Sequence, residues 1–241
     1  MSAVCHFPSL ENAVQTAQQV IQYGVPIARI EMLNKDQMGI SINYSKLSNV
    51  KETPTLFFEF HGTELSNNEN IKIVEEISKD NNGSSFKWAK DLEERNKLWR
   101  ARWDVYYSVK ALINNGRVYS TDVCLPISKI TECVNYAEEQ AKKFGLRAPM
   151  VGHLGDGNFH VLLPFDPEKK ETYKKIREFN DLLIKKTLEL NGTITGEHGV
   201  GLHKKEYLLK EHGDNIPVMK LIKRSIDQNN IMNPGKIFDL N

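Results

Sequence analysis

The spacing of apolar residues alternates along the chain between helical and extended periodicity. Apolar positions three or four residues apart predict helices over residues 9–23, 68–79, 91–113, 128–145, 168–190 and 214–228. Short apolar runs predict strands over residues 27–33, 55–60, 86–89, 117–125, 150–165 and 193–195. The 150–165 region contains a turn, so two of its strands join directly. The pattern predicts an α+β fold: a ferredoxin-like antiparallel sheet covered by helices, followed by a C-terminal helical segment.

Composition narrows the class of protein further. The chain has 241 residues, of which 40% are hydrophobic and 26% charged, and its formal net charge of +1 argues against a nucleic-acid partner. The three cysteines, Cys5, Cys124 and Cys133, form no C-x-x-C pair, which argues against a disulfide framework or a thiolate zinc site. Residues 1–10 carry no targeting pattern, and no apolar run has the length of a membrane span. We therefore expect an intracellular protein.

The segment VGHLGDGNFHVLLP, residues 151–164, places His153 and His160 within an apolar run. If residues 155–158 form a four-residue hairpin loop, His153 lies directly opposite His160, with Cβ atoms about 4.5–5.5 Å apart. Two imidazoles at that separation are able to bind one metal ion. A register one residue different would put them on opposite faces. The alternative interpretation is two buried or half-buried histidines whose hydrogen bonds are satisfied within the fold.

A third ligand is available in the segment GEHGVG, residues 196–201, where three glycines flank an acid and an imidazole. Glu197 completes a set of two histidines and one carboxylate, a ligand set suited to a divalent zinc or manganese ion. His198 is then a candidate general base. Taken alone, the segment is equally well explained as a turn.

A further candidate lies on the predicted helix ERNKLWRARWDVYYSVKAL. Arg95, Trp99, Arg102 and Tyr106 are spaced four, three and four residues apart and share one helix face. Two guanidinium groups beside aromatic rings form a suitable clamp for a carboxylate. The alternative is an amphipathic helix with surface arginines and a buried tryptophan.

Seven segments together resemble one family. RIEMLN, PTLFFEFHG, LWRARW, YSTDVCLPIS, VGHLGDGNFH, TGEHGVGLHKK and IMNPGKIF occur in family order along the whole chain. They resemble the C-terminal part of the FAD-linked 2-hydroxyacid dehydrogenases, flavoproteins of the vanillyl-alcohol-oxidase type, and most of all its D-lactate dehydrogenase (cytochrome) branch, with glycolate oxidase as another member. The resemblance implies one C-terminal domain over residues 1–241, with a substrate- and metal-binding cap up to about residue 210 and a helical segment over about 211–241.

The resemblance also implies roles for individual residues. His153, His160 and Glu197 match the metal ligands, and His198 matches the base that takes the proton of the substrate hydroxyl group.

Other positions match substrate and flavin contacts. Arg102 matches an arginine that anchors the substrate carboxylate, and Asn158 lies beside the ligands, where it faces substrate or flavin. Asn233, together with Glu197 and Gly199 of the glycine-rich loop, matches residues near the FAD.

The implied reaction is oxidation of D-lactate, or a similar monocarboxylic 2-hydroxy acid, to the 2-oxo acid by hydride transfer to FAD, assisted by a metal and His198. Relatives that act on dicarboxylates carry a lysine just before the D-x-x-L-P segment, and Ser120 at that place suits a monocarboxylate. The family implies an electron acceptor such as cytochrome c, a quinone or an electron-transfer flavoprotein. It implies a location in the cytoplasm or the mitochondrial matrix.

One family feature has no counterpart here. No segment resembles the glycine-rich FAD-binding N-terminal half, so we expect that half as a separate partner or as a missing part of the same protein. The alternatives are a non-catalytic or incomplete subunit that keeps the fold and, with less support, a metal-dependent hydrolase.

Overall fold

The structure is a computed structural model that describes residues 1–47, 50–89 and 92–240. Its strands are β1 (Ser2–His6), β2 (Arg29–Leu33), β3 (Thr55–Glu59), β4 (Ser84–Ala89), β5 (Arg117–Ser120), β6 (Val123–Cys124), β7 (Met150–His153) and β8 (Asn158–Phe165). Its helices are α1 (Leu10–Gln22), α2 (Lys35–Ser45), α3 (Glu64–Asp80), α4 (Leu92–Trp103), α5 (Val105–Lys110), α6 (Ile130–Phe144), α7 (Lys170–Glu189), α8 (Lys205–His212) and α9 (Ile216–Ile226). Within the described ranges, no helix combines the length and the apolar character needed to cross a membrane.

The strands form one eight-stranded sheet in which all paired neighbours are antiparallel. The order is β4-β1-β3-β2-β7-β8-β5, and β6 also pairs with β8. The first four strands, connected through α1 and α3, have the order β4-β1-β3-β2 of a ferredoxin-like unit. The α+β prediction is therefore confirmed.

The ferredoxin-like topology occurs twice, although the sequence shows no repeat. In the second unit β6, α6, β7, β8 and α7 follow one another in the same pattern, with β6 and β7 on either side of β8. Thr193 then bridges to Cys124 of β6 and takes the place of a fourth strand. The two units join edge to edge through β2 and β7, with Glu31 opposite His153. This seam runs through the middle of the sheet.

Helices cover both faces of the sheet. One face packs against α1, α3, α6 and α7 and buries the larger core. The other packs against α2, α4 and α5 around a smaller core that includes Leu33, Val151 and Leu162. Because alternate residues of a strand share a face, Glu31 and His153 lie on the same face as this smaller core. Apolar residues thus surround one side of a polar region at the seam.

Side-chain caps begin three of the helices and account for one that the sequence did not predict. The side chains of Ser9, Asn34 and Thr63 accept backbone N–H groups at the starts of α1, α2 and α3. Apolar periodicity misses α2 because its buried side includes polar residues: the Gln37 side-chain amide donates to Ser41 Oγ at 3.0 Å. The short strand β1 and the helix α8 were missed as well.

Two predicted elements are divided in the structure. The helix predicted over 91–113 is interrupted at Asp104 into α4 and α5, and its predicted start at Asp91 lies outside the described residues. The strand predicted over 117–125 is interrupted at Thr121 and Asp122, which separate β5 from β6. The side-chain oxygen of Thr121 accepts a hydrogen bond from the backbone N–H of Val161 at 2.8 Å. This contact with β8 stabilises the interruption.

The predicted register of the histidine hairpin was wrong by two residues. The turn comprises residues 154–157, His153 pairs with Asn158, and Val151 pairs with His160. Leu154 leaves the ladder because its backbone N–H donates to Ile30 O at 2.8 Å and its side chain is fully buried. A shift of two keeps the side-chain parity, so His153 and His160 still share a face as diagonal neighbours.

The turn of this hairpin depends on glycine at position 157. Gly157 has φ +82°, and a Cβ there would lie 2.1 Å from Leu125 O. We expect Gly157→Ala to lower the free energy of unfolding by about 1–2 kcal/mol or more, because alanine disfavours this conformation and meets the carbonyl. Gly213→Ala is the matched control, since its Cβ meets nothing within 4 Å. Denaturant unfolding of both variants measures the difference, and equal stability would contradict the assigned turn.

Candidate active site

Three side chains from separate elements meet at the seam and form what we call the histidine–glutamate cluster: His153, His160 and Glu197. His153 ends β7, His160 lies on β8, and Glu197 belongs to the 196–201 loop that follows α7. One potential ligand atom from each residue lies within 4.8 Å of the others. Glu197 Oε1 is 3.3 Å from His153 Nε2 and 3.0 Å from His160 Nε2. The structure thus brings together the three predicted metal ligands.

The hydrogen bond at the other ring nitrogen of His160 determines its tautomer. His160 Nδ1 lies 2.8 Å from Thr121 O, and because a carbonyl only accepts, Nδ1 is the donor. The side chain is buried, and burial lowers the pKa of His160. Neutral His160 therefore presents an unprotonated Nε2 to Glu197.

His153 is held in the same way by Glu31 of the neighbouring β2. His153 Nδ1 donates to Glu31 Oε1 at 2.8 Å, which leaves Nε2 directed at Glu197. This hydrogen bond raises the pKa of His153 against the opposing effect of burial. Burial acts to raise the pKa of Glu31, but hydrogen bonds and charge from His153 and Arg102 outweigh it and keep that pKa below the usual range.

The cluster consists of hydrogen-bond acceptors pointing at one another. With both Nδ1 atoms donating elsewhere, neutral His153 and His160 present lone pairs to a carboxylate oxygen. Such acceptors approach to about 3 Å only with a proton or a cation between them. Two imidazole nitrogens and one carboxylate, each oriented by a second contact, are a suitable set for a divalent transition metal.

His198 and Gly199 extend the cluster on its open side. The His198 ring stacks on His160, with centroids 4.9 Å apart and planes at 15°, and its Nε2 is 3.4 Å from Glu197 Oε1. The imidazole is half exposed. Gly199, with φ +71°, turns the backbone away after these side chains. The candidate base therefore lies beside the candidate ligands and is open to a bound molecule.

Arg102 reaches the cluster indirectly. Its Nε donates to Glu31 Oε2 at 2.9 Å, on the carboxylate whose other oxygen binds His153. The predicted clamp of two arginines is not formed in this way, because Arg95 instead pairs with Glu59 at 3.6 Å. The proposed helix face is also divided, with Trp99 buried in the smaller core and Tyr106 on α5 about half exposed.

Asn158 and Asn233 occupy contrasting environments. Asn158 is buried beside the cluster: its Nδ2 donates to Asp122 Oδ1 at 2.9 Å, while its Oδ1 has no hydrogen-bond partner among the described residues. A buried acceptor of this kind suits a donor on a bound molecule. Asn233 lies in an exposed turn of the C-terminal tail, where its carbonyl accepts from Lys236 N at 3.2 Å. A flavin contact of Asn233 stays a prediction.

A cavity of about 800 Å³ opens beside the cluster. Its lining includes Arg29, Glu31, His153, Asn158 and Glu197. A volume of this order accommodates a small organic acid together with part of a larger ligand.

Sequence patterns missed two residues of this site. Glu31 is a charged residue inside an otherwise apolar strand, and Asp122 interrupts a predicted strand. Burial acts to raise the pKa of Asp122, but hydrogen bonds, first from Lys204, hold it far below the usual range. A carboxylate inside an apolar strand pattern is itself a sequence signal of a functional or structural contact, since buried carboxylates require partners.

Comparison with known proteins identifies the family. The model for the C-terminal domain of FAD linked oxidases matches residues 1–237. The chain belongs to this family.

Curated relatives of this FAD-linked oxidase domain carry dehydrogenase and oxidase names. "Probable D-lactate dehydrogenase, mitochondrial" of Danio rerio is 44% identical over 100% of this chain and 48% of its own length. "D-lactate dehydrogenase [cytochrome], mitochondrial" of Arabidopsis thaliana is 37% identical over 98% of the chain and 41% of its own length. The "Glycolate oxidase subunit GlcD" of Bacillus subtilis is 29% identical over 96% of the chain and 49% of its own length. The chain spans about half the length of these relatives.

Solved structures share the fold at low sequence identity. The 4-ethylphenol oxidase of Gulosibacter chungangensis superimposes with a TM-score of 0.73 at 13% identity, over 99% of this chain and 54% of its own. A p-cresol methylhydroxylase gives 0.69 at 14% identity, over 100% of this chain and 53% of its own. These two agree with the vanillyl-alcohol-oxidase type of fold that the sequence segments indicated.

The contact between Glu31 and His153 predicts a titration effect in the metal-free chain. We expect Glu31→Gln to lower the pKa of His153, because the anionic acceptor disappears while burial and Arg102 remain. Since the folded-state pKa lies above 6.5, protonated His153 stabilises the fold below that pH, and the contribution is lost as pH rises through the folded-state value. NMR titration of the imidazole measures the change. Glu59→Gln is the control, and a pKa equal to wild type in Glu31→Gln would refute the assignment.

Proposed function

We propose that this domain is the substrate- and metal-binding part of an FAD-dependent D-2-hydroxyacid dehydrogenase that oxidises D-lactate or a similar monocarboxylic 2-hydroxy acid. The observation that carries the proposal is the histidine–glutamate cluster beside a half-exposed imidazole, His198, at a cavity. The D-lactate dehydrogenase names of the relatives at 44% and 37% identity support the choice of substrate.

His153, His160 and Glu197 would hold a divalent zinc or manganese ion. The acceptor character of all three groups and the fixed tautomers of both imidazoles support this assignment. Bound there, such an ion supplies positive charge that lowers the pKa of a hydroxyl group next to it.

His198 would take the proton from the substrate hydroxyl group. Its Nε2 faces the cluster while half of the side chain remains accessible, as a group that exchanges protons with substrate and solvent requires. With FAD bound as the two-electron acceptor of the C2 hydride, loss of that proton would convert the 2-hydroxy acid into the 2-oxo acid. Bound FAD supplies the two-electron oxidation.

Arg102 and Asn158 would orient the substrate. Arg102 uses Nε for Glu31, and its terminal nitrogens, which make no hydrogen bond among the described residues, would bind the substrate carboxylate; the side chain is 20% exposed. The buried Oδ1 of Asn158 would accept a hydrogen bond from substrate or flavin. The neutral Ser120 fits a substrate with one carboxylate.

The FAD-binding half would cover the C-terminal helical segment, from about residue 211 to 241. Helix α9 exposes Val218, Leu221, Ile222 and Ile226, an apolar face that water disfavours. The tail that follows is connected to the 196–201 loop, since Ile237 N donates to Gly201 O at 2.8 Å. A flavin held by that half would thus lie near Glu197, Gly199 and Asn233.

The names of the relatives support two further assignments. Four D-lactate dehydrogenase relatives are called mitochondrial, and we propose a mitochondrial location. Three of these names include cytochrome, which favours cytochrome c over a quinone or an electron-transfer flavoprotein as the electron acceptor.

Metal analysis tests the ligand set. We expect the chain to bind one zinc or manganese ion, and His153→Ala or His160→Ala to lower the affinity more than about 100-fold, because losing a ligand exceeds the 10–100-fold cost of an outer contact. His203→Ala is the control, since His203 is exposed on the same segment as Glu197. Equal metal content in wild type and both ligand variants would eliminate the proposed ligands.

Reconstitution tests the reaction. The chain is co-expressed with the FAD-binding half of the Danio rerio relative, and D-lactate, D-2-hydroxybutyrate, glycolate and D-2-hydroxyglutarate are assayed with an artificial electron acceptor. We expect the monocarboxylates, led by D-lactate, to be oxidised, and His198→Ala to reduce kcat by about 10²–10⁴-fold. Retained FAD without turnover of any substrate would favour the alternative of a non-catalytic subunit.

A further inference from the structure

The carboxylate of Asp122 occupies the interruption between β5 and β6, directly beneath the 196–201 loop. It is 2% exposed and belongs to no regular element. A buried carboxylate is costly unless its oxygen atoms accept several hydrogen bonds or pair with a cation. The hydrogen-bond donors around the Asp122 carboxylate therefore indicate its structural role.

Oδ1 of Asp122 accepts three hydrogen bonds from the walls of the site. Asn158 Nδ2 donates at 2.9 Å, Gly196 N at 3.0 Å and Glu197 N at 3.3 Å. Two of these donors are consecutive backbone groups of the loop that carries the candidate ligand and base.

Oδ2 accepts three more. Thr195 Oγ1 donates at 2.8 Å, His198 N at 3.1 Å and Lys204 Nζ at 2.9 Å. The Lys204 ammonium group also donates to the carbonyl oxygens of Asp122 and Ile194, at 3.1 and 2.9 Å. The Lys204 ammonium group therefore neutralises the carboxylate. It also links Ile194, which lies just before the loop, to Asp122.

The loop lies so close to Asn158 and Asp122 that position 196 has no room for a side chain. A Cβ at Gly196 would be 1.8 Å from Asn158 Nδ2 and 3.0 Å from Asp122 Oδ1. The backbone of residues 196–198 is thus seated on one carboxylate, while the Glu197 and His198 side chains are about half exposed and point to His160. The carboxylate itself stays out of the cluster, with Oδ1 3.8 Å from His160 Nδ1.

We propose that Asp122, neutralised by Lys204, is a positioning residue that fixes the backbone of residues 196–198 so that Glu197 and His198 face His153 and His160. The inference rests on the proposed function for the purpose of the cluster. Its structural half, the rigid loop, is independent of whether a metal binds.

Asp122→Asn in the 241-residue chain is the first test. The substitution keeps the shape but replaces one acceptor oxygen by an N–H donor, which opposes three of the six donors around the side chain whichever oxygen is replaced. We expect the amides of residues 196–198 to exchange with solvent at least about tenfold faster by NMR, with β8 amides unchanged. We also expect affinity for added Zn²⁺ to fall about 10–100-fold. Unchanged loop exchange, or faster exchange with wild-type Zn²⁺ affinity, would overturn the proposal.

Two less disruptive variants test the positioning role of Asp122 if Asp122→Asn does not fold. Thr195→Val removes one donor to Oδ2, whereas the conservative Thr195→Ser retains it. We expect faster loop exchange and weaker Zn²⁺ binding in Thr195→Val, and values near wild type in Thr195→Ser. A Thr195→Val variant that matches wild type in both measurements would refute the positioning role.

The two measurements also separate this inference from the proposed function. A wild-type chain that binds neither Zn²⁺ nor Mn²⁺ would contradict the metal site alone, and the exchange rates would then decide the role of Asp122. Conversely, a metal site lost in His153→Ala but retained in Asp122→Asn would uphold the ligands and reject the positioning residue.

Discussion

The pairing of β2 with β7, with Glu31 opposite His153, is the contact on which the candidate site depends. It joins two ferredoxin-like units into one sheet, and it places a buried carboxylate beside the first imidazole of the cluster. An antiparallel pair brings facing side chains within contact distance, so the register of two edge strands determines the geometry of the site. Neither unit could orient His153 by itself.

Charge is balanced locally around the cluster. Glu31 has Arg102 and Asp122 has Lys204, each at 2.9 Å. Burying a charge is tolerated when a partner and further hydrogen bonds satisfy it, and both acids meet that condition. Glu197 differs, since its half-exposed carboxylate faces imidazole nitrogens that have no proton to give in their neutral form. Two of the three acids are thus fixed by their partners, and Glu197 is the one left to the proposed ligand set.

The duplicated topology also explains why the site opens at the middle of the sheet. The second unit contributes His153 and His160, and the loop after α7 contributes Glu197 and His198, while the first unit contributes Glu31. None of the described residues that line the cavity belongs to helices α2, α4 or α5. The chain spans about half the length of its curated relatives, and this open side is the surface that the proposed FAD-binding half would adjoin.

The sequence by itself determined the fold class, most helices and strands, and the candidate ligands His153, His160 and Glu197. The fold class and the elements follow from local periodicity, and His153 and His160 share a face because a register error of two leaves side-chain parity unchanged. The tertiary structure decided the true register, the second ferredoxin-like unit, the separation of Arg95 from Arg102, and the parts played by Glu31 and Asp122. These features depend on contacts between residues distant along the chain, such as Arg102 with Glu31, 71 positions apart, and His153 with Glu31, 122 positions apart, and no local pattern encodes such pairings.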